Sequence, residues 1–325
     1  MIKETPFGEH LGAEITKYTL ENNNGFSVSV INYGATITNI MFDGRDVVLG
    51  YDDLKGYTQN RGFLGATVGR YANRIKDGKI KIGEQEFLLS QNSGENHIHG
   101  GFVGFDKQNF TVTALNDGEE PSISLSHIFE DMEEGYPGEL DLTVTFTVTA
   151  QNSLKIEYRA ISTEDTIVNL TNHSYFKLGG NIFNTELCMN APRYTPVDQN
   201  LIPSGEIASV KETEFDFLKP RAIEREYDNN FCLEGEADEI KITAFDKTSG
   251  IELKVKTSEP AVQLYTGAFL NIPEGKGGVP NGKNAGFCLE TQHYPDSPNH
   301  ENFPSTLLKK DEKFVSFTEY IFSKR

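Results

Sequence analysis

The sequence lacks the cysteine patterns that mark disulfide-rich and zinc-binding proteins. Among its 325 residues there is no tryptophan and there are only three cysteines, Cys188, Cys232 and Cys288, which are far apart and include no CxxC pair. An odd and widely spaced set indicates neither a disulfide framework nor a zinc knuckle. We therefore expect three reduced thiols and no metal site built on cysteine.

Long apolar runs and basic residues are also scarce. No segment approaches the roughly 18 consecutive apolar residues of a membrane-spanning helix, and the first ten residues lack the apolar core of a signal peptide. Lys and Arg number 30 against 48 Asp and Glu, which gives a formal net charge of -18. Nucleic-acid binding needs clustered positive charge to contact phosphates. The sequence therefore predicts a cytoplasmic protein that binds neither membranes nor nucleic acid.

Strict alternation of apolar and polar residues is the dominant pattern that is present. Between Leu140 and Ala150 every second residue is apolar, and Asp141 and threonines fill the positions between them. The alternation resumes after a short turn, which predicts a long antiparallel hairpin over 140–161. Shorter runs of the same kind predict further strands at 27–32, 79–82, 110–115, 122–129, 240–245 and 251–256.

Helical periodicity is nearly absent from the chain. Residues 52–59 and 213–217 could each hold a short turn of helix, and no pattern reaches three full turns. Many antiparallel strands joined by glycine-containing turns predict an all-β fold, a large antiparallel β-sandwich. No shift of composition marks a boundary, so we expect a single domain over 1–325, with the glycine-rich stretch 271–285 as a surface or active-site loop.

One histidine lies in the polar run 171–180, TNHSYFKLGG. In an extended segment His173 shares its face with Thr171 and Tyr175, so it has polar neighbours on its own side. An imidazole titrates near neutral pH and can donate or accept a proton during a reaction. The alternative is a structural histidine at the end of a strand, and this segment alone does not decide between the two.

A carboxylate lies in a second strand-like run, 287–292, FCLETQ. Alternation directs Phe287 and Leu289 toward the core, so Glu290 and Gln292 share the opposite face. Shielding by neighbouring side chains would raise the pKa of Glu290 toward the range of a general base. A solvated glutamate on a strand is the alternative.

Three further motifs hold candidate binding residues. His97 and His99 are two residues apart in NHIHGG, which would put both imidazoles on one face of an extended segment. A metal site would need a third ligand, and because no HExxH motif or cysteine pair supplies one nearby, we predict no metal. Arg70 in GRYANRI could aim a forked donor into a pocket, and Asp228 follows an aromatic residue in YDNNF. A surface arginine and a capped turn are the alternatives.

Seven motifs together resemble the aldose 1-epimerase, or galactose mutarotase, family. They occur in the family's order across almost the whole chain: GATVGRYANRI, NHIHGG, GFDK, EEGYPG, TNHSYF, QLYTG and LETQHYPDSPN. No single motif is decisive, but seven in register are highly specific. The resemblance implies a galactose mutarotase-like supersandwich whose open cleft binds a free hexose and interconverts its α and β anomers, without a cofactor, in hexose and galactose metabolism.

The resemblance also implies roles for individual residues. Glu290 matches the family's general base and His173 its general acid, while Arg70, His99 and Asp228 match residues that hold sugar hydroxyls. Glu290 would take the proton of the C1 hydroxyl while His173 protonates the ring oxygen, so no metal is needed. The expected partner is a monosaccharide, and the expected state is a monomer or homodimer.

The sequence departs from the family pattern in places, and other functions stay open. Lys177 stands where the family most often has asparagine, Asn229 where a histidine commonly follows the aspartate, and the tryptophan often found after GFDK is missing. The first two could change the cleft wall and the preferred sugar. The alternatives are a carbohydrate-binding module without catalysis, a metal-dependent sugar isomerase or hydrolase that uses His97 and His99, and a sugar-phosphate epimerase, which the net charge disfavours.

Overall fold

The computed structural model describes residues 1–59 and 62–325, and within these ranges the regular secondary structure is almost entirely strands. The strands, in chain order, are β1 (Ile2–His10), β2 (Ala13–Glu21), β3 (Ser27–Ile31), β4 (Thr36–Phe42), β5 (Arg45–Asp46), β6 (Thr67–Val68), β7 (Arg74–Ile75), β8 (Lys79–Ile82), β9 (Gln85–Leu88), β10 (His97–Ile98), β11 (Thr111–Asn116), β12 (Ser122–Phe129), β13 (Leu140–Val148), β14 (Ser153–Ser162), β15 (Thr166–Ile167), β16 (Thr171–Asn172), β17 (Tyr175–Phe176), β18 (Thr185–Met189), β19 (Arg193–Thr195), β20 (Ala208–Ser209), β21 (Arg221–Ala222), β22 (Asp228–Cys232), β23 (Ile242–Asp246), β24 (Ile251–Thr257), β25 (Ala261–Tyr265), β26 (Phe287–Gln292), β27 (Leu307–Leu308) and β28 (Lys313–Lys324).

Helical structure is confined to short pieces in the described part of the chain. The α-helix α1 (Leu54–Gln59) has six residues, and six 3-10 turns have three residues each: Lys76–Gly78, Phe105–Lys107, Glu133–Gly135, Ile182–Asn184, Lys276–Gly278 and Ser297–Asn299. α1 falls within the predicted 52–59, whereas 213–217 forms turns without a helix. No helix among these residues is long and apolar enough to cross a membrane.

Three larger sheets organise the fold. A nine-stranded sheet has the order β11-β12-β13-β14-β28-β24-β23-β18-β21, a six-stranded sheet the order β17-β26-β25-β22-β19-β20, and a five-stranded sheet runs from β1 to β5 in sequence order. The remaining strands pair in twos, and the ladders described are antiparallel. The predicted all-β fold and its antiparallel sandwich are confirmed.

The hydrophobic core lies between these sheets. One cluster of buried side chains takes Val28 and Val30 from the five-stranded sheet, Val144 from the nine-stranded sheet, and Phe287 and Leu289 from the six-stranded sheet. Burial of this apolar surface is the main favourable term in packing one sheet on another.

The predicted hairpin over 140–161 forms with its expected faces. β13 and β14 pair in a regular antiparallel register, with Phe146 opposite Ile156. Leu142, Val144 and Phe146 are buried, while the threonines between them are only partly buried. Local alternation predicted this part well because one of its two faces is less buried than the other.

Candidate active site

An open cleft of about 860 Å³ collects residues from distant parts of the chain. Four of the five predicted site residues line it: His99, His173, Asp228 and Glu290. Arg74 lines it as well, although the sequence analysis did not select this residue. Pockets of this size bury most of a small organic ligand.

The six-stranded sheet builds one side of the cleft. Glu290 on β26 lies directly opposite Gln263 on β25, and Gln263 lies opposite Asn230 on β22. Asp228, two residues before Asn230, shares the same face because side chains alternate along a strand. Gln263 Nε2 donates a hydrogen bond to Asp228 Oδ1 at 2.6 Å. The sheet thus holds the two carboxylates at a fixed spacing.

Glu290 is more buried than alternation predicted. Every residue of β26 is buried, and Glu290 is only 2% exposed. The reason is the position of β26, which is an interior strand of the six-stranded sheet with other elements packed on both of its faces. The alternative of a solvated strand glutamate is therefore wrong.

His173 is held beside Glu290 by a break between two short strands. β16 ends at Asn172 and β17 begins at Tyr175, so the run is not one regular strand as predicted. The His173 N–H donates to the carbonyl of Ala66, and its carbonyl accepts from the N–H of Gly65, both at 2.9 Å. His173 Nε2 lies 3.6 Å from Glu290 Oε1.

Burial shifts the acid–base properties of this pair. Burial raises the pKa of Glu290 well above its usual value, the nearby Asp228 carboxylate raises it further, and Arg74 opposes the increase. Burial lowers the pKa of His173 to about 4. Both shifts favour the neutral forms, so a proton shared by the pair lies on the carboxyl group rather than on the imidazole.

His99 faces the pair from a backbone position in the left-handed region. Its φ is 52°, and the N–H of Asn73 donates to His99 Nδ1 at 3.1 Å. Gly100 follows with a φ of 85°, and a Cβ there would lie 1.8 Å from the carbonyl oxygen of Gly69, so only glycine fits. Burial lowers the pKa of His99 well below its usual value, and His173 adds to the decrease. A neutral His99 whose Nδ1 accepts a hydrogen bond carries its proton on Nε2 and acts as a donor.

His97 does not line the cleft with His99, contrary to the prediction that both imidazoles share a face. The left-handed turn at His99 breaks the extended geometry on which the prediction depended. His97 is fully buried, with its Nδ1 2.7 Å from the carbonyl oxygen of Ser90 and its Nε2 2.6 Å from the hydroxyl of Tyr136. Both ring nitrogens are occupied, so the alternative of a metal site built on His97 and His99 is not supported.

Another trio could bring ligands to a metal ion. Donor atoms of His99, His173 and Glu290 lie within 4.8 Å of one another. Metal binding through His99 Nε2 would require the proton to move to Nδ1, which would then oppose the N–H of Asn73. The donor set therefore suits hydrogen bonding and proton transfer better than coordination.

The prediction for Arg70 needs a correction. Arg70 is 2% exposed and does not line the cleft, because its Nη1 donates to the carbonyls of Pro137 and Gly138 at 3.0 and 2.8 Å and its guanidinium lies over the Tyr136 ring. It binds the EEGYPG motif to the GRYANRI motif. Arg74, four residues later in GRYANRI, is the arginine that reaches the cleft, with Nη2 3.8 Å from Asp228 Oδ2.

The departures at Lys177 and Asn229 lie away from the cleft lining. Asn229 pairs with Leu264 in the ladder, on the face of β22 opposite to Asp228, and Lys177 follows β17 with its N–H bonded to the carbonyl of Val47. Neither side chain forms part of the described cleft wall, although Asn229 Oδ1 accepts a hydrogen bond from the N–H of Asp228 at 3.3 Å.

A buried carboxyl and imidazole side by side in a cleft lined by hydrogen-bonding groups define an enzyme of the general acid–base class. Comparisons with known proteins narrow this class. The family model for aldose 1-epimerase matches residues 16–320. Galactose mutarotase from Bos taurus is 42% identical over 333 residues, with 96% of each chain covered. Aldose 1-epimerase from Escherichia coli (strain K12) is 35% identical, with 99% of each chain covered.

A solved structure agrees with these relatives. Galactose 1-epimerase from Lactobacillus acidophilus NCFM superposes with a TM-score of 0.91 at 31% identity, covering 100% of this chain and 99% of that chain. The chain belongs to the aldose 1-epimerase family, which confirms the resemblance seen in the motifs. It is an isomerase of carbohydrate metabolism that interconverts the anomers of a hexose.

Proposed function

We propose that the cleft opens and recloses the ring of free hexoses, D-galactose and D-glucose among them, with Glu290 as general base and His173 as general acid. The observation that carries this assignment is the buried pair itself, with Nε2 and Oε1 3.6 Å apart at the cleft. Ring opening of a cyclic hemiacetal needs one proton removed from the C1 hydroxyl and one delivered to the ring oxygen. Two groups this close can serve both atoms of one bound sugar.

The protonation states follow from the shifted pKa values. A proton on Glu290 must pass to His173 before the carboxylate can act as base and the imidazolium as acid. The 3.6 Å gap between the two atoms is short enough for a bound hydroxyl to relay that proton. Glu290 then takes the C1 proton, His173 protonates the ring oxygen, the aldehyde rotates about C1–C2, and the roles reverse on closure.

His99, Arg74 and Asp228 are the residues that we propose hold the sugar. Nε2 of His99 is a donor for a hydroxyl oxygen, and the guanidinium of Arg74 offers a fork of donors. Asp228 is an acceptor whose orientation Gln263 fixes. Together they supply donors and an acceptor in one cleft, which suits a ligand rich in hydroxyl groups.

An unphosphorylated sugar suits the charge of the cleft. Among the described lining residues, Lys55 and Arg74 are the cationic side chains, against four carboxyl groups besides the neutral Glu290: Asp52, Asp53, Asp228 and Glu274. This local excess of carboxyl groups disfavours a dianionic phosphate. It supports the free hexose over the sugar-phosphate alternative.

Polarimetry on freshly dissolved α-D-galactose and α-D-glucose, in buffer with chelator, tests the proposal. Wild-type protein should speed the relaxation to the same final rotation, whereas a binding module would leave the rate unchanged. Glu290→Gln and His173→Asn should each lower kcat by at least about 100-fold, because each removes a proton transfer. Glu186→Gln, the same isosteric change at a partly buried carboxylate on the nine-stranded sheet, should keep full activity. Retained activity in folded Glu290→Gln would reject the base assignment.

Other features of the sequence analysis stay predictions. The single domain over 1–325 is supported by one hydrophobic cluster whose members run from Tyr18 to Phe322. The cytoplasmic location, the absence of nucleic-acid binding and the monomeric or homodimeric state rest on composition and on the resemblance.

A further inference from the structure

The loop of residues 294–299 follows directly after the strand that carries Glu290. Asp296 in this loop is fully buried, with a φ of 59° in the left-handed region that aspartate tolerates. Its Oδ1 accepts hydrogen bonds from the N–H of Lys76 at 2.9 Å and from Asn299 Nδ2 at 2.6 Å. A buried carboxylate is costly unless such partners compensate it, so its position is strongly determined.

The same loop fastens the segment that ends at Arg74. The N–H of Asp296 donates a hydrogen bond to the carbonyl of Arg74 at 2.8 Å. The hydroxyl of Tyr71 donates to the carbonyl of Tyr294 and accepts from the N–H of Ser297, both at 3.1 Å. Asp296 therefore holds the backbone on both sides of Ile75, at Arg74 through its own N–H and at Lys76 through its carboxylate.

The side-chain contact of Arg74 is loose by comparison. Its Nη2 is 3.8 Å from Asp228 Oδ2, longer than a hydrogen bond. No tighter side-chain partner of Arg74 lies within residues 1–59 and 62–325, so its backbone largely determines where this long side chain lies in the cleft. Asn73, whose N–H bonds to His99, lies on the same short segment.

We propose that Asp296 is a positioning residue that fixes Arg74 in the cleft and so sets the affinity for the sugar. The inference rests on the proposed function in one respect, since Arg74 must contact the sugar. Only five residues separate Asp296 from Glu290. Residues 290–296 therefore carry the base at one end and, at the other, bond the backbone of the segment that contains Arg74. This arrangement links the position of the sugar-binding segment to that of the base, and a well-positioned binding group contributes to affinity only while its geometry is kept.

Steady-state kinetics on Asp296→Ala and Asp296→Asn test this role. Alanine removes the acceptor for Lys76 and should raise KM for galactose about tenfold, with kcat changed much less. Asparagine keeps an oxygen acceptor and tolerates the left-handed backbone, so it should restore KM to within about twofold of wild type. Asn302→Ala removes a hydrogen bond to the carbonyl of Gly205 nearby and should leave KM unchanged. A purely structural role would lower the active fraction and kcat while KM stayed constant.

A double-mutant cycle with Arg74→Ala decides whether Asp296 acts through Arg74. The tenfold effect of Asp296→Ala should shrink to less than about twofold in the Arg74→Ala background, and full additivity would overturn the inference. If Asp296→Ala does not fold, Tyr71→Phe replaces it in the cycle. This change removes both hydrogen bonds between the Tyr71 hydroxyl and the loop, those to Tyr294 and Ser297.

Galactose binding by calorimetry, run on the same variants, separates failure of this inference from failure of the proposed function. A wild type that binds galactose without converting it rejects the proposed function, and the cycle is then judged on Kd. A wild type that neither binds nor converts the sugar overturns both.

Discussion

Replacement of His97 should flatten the pH dependence of stability without touching the cleft. This imidazole is fully buried outside the cleft lining, and its Nε2 faces the Tyr136 hydroxyl while its Nδ1 faces the carbonyl of Ser90. A carbonyl only accepts, so the neutral ring donates from Nδ1 and accepts at Nε2. Burial lowers the pKa of His97 from 6.5 to about 4.

The sign and size of the effect follow from this shift. A depressed pKa means that the unfolded chain takes up a proton before the folded chain does, so stability is lost as pH falls between 6.5 and about 4. The complete loss corresponds to about 3 kcal/mol, at about 1.4 kcal/mol for each tenfold change. Between pH 7.5 and pH 5 the part due to His97 is about 2 kcal/mol.

Urea denaturation of wild type and His97→Gln at pH 7.5 and pH 5 measures this contribution. Other groups also titrate, but they are common to both proteins. The loss of unfolding free energy between the two pH values should be about 2 kcal/mol smaller in the variant. Equal losses in both proteins would show that His97 is not held neutral. Nitrogen NMR of the imidazole provides an independent check, since the Nε2 signal should stay that of an acceptor down to about pH 5.

Three further predictions concern two arginines and the thiols. Arg74→Ala should lower kcat/KM for galactose about tenfold or more with the urea midpoint unchanged, because the side chain lies at the cleft. Arg70→Met should lower the urea midpoint while the folded fraction keeps its KM, because Arg70 donates to main-chain carbonyls away from the cleft. A raised KM in Arg70→Met, with an unchanged KM in Arg74→Ala, would show that Arg70 and not Arg74 binds the sugar. With a thiol reagent, native protein should react slowly at Cys188 and not at buried Cys232 or Cys288, and all three should react in guanidinium. Fast reaction of three native thiols would contradict this burial.

The part of the site that the sequence predicted comes from motifs rather than from local geometry. Glu290, His173, His99 and Asp228 all line the cleft. Alternation explained the 140–161 hairpin well, since a strand with a partly exposed face shows its pattern in sequence. It failed for Glu290, because a strand buried on both faces has no polar side from which exposure can be inferred.

The prediction for His97, made from local spacing, and the prediction for Arg70, made from the motif match, fail for a related reason. His99 faces the cleft and His97 does not, because the backbone at His99 is left-handed. Gly100 permits this turn, but a glycine in the sequence does not by itself predict it. Which of two arginines in GRYANRI reaches the cleft depends on contacts that form only on folding. Pro137 and Gly138 hold the side chain of Arg70, and a loop more than 200 residues downstream holds the backbone of Arg74. The spacing within one motif cannot encode such partners, so the choice becomes visible only when the register of the whole sandwich is known.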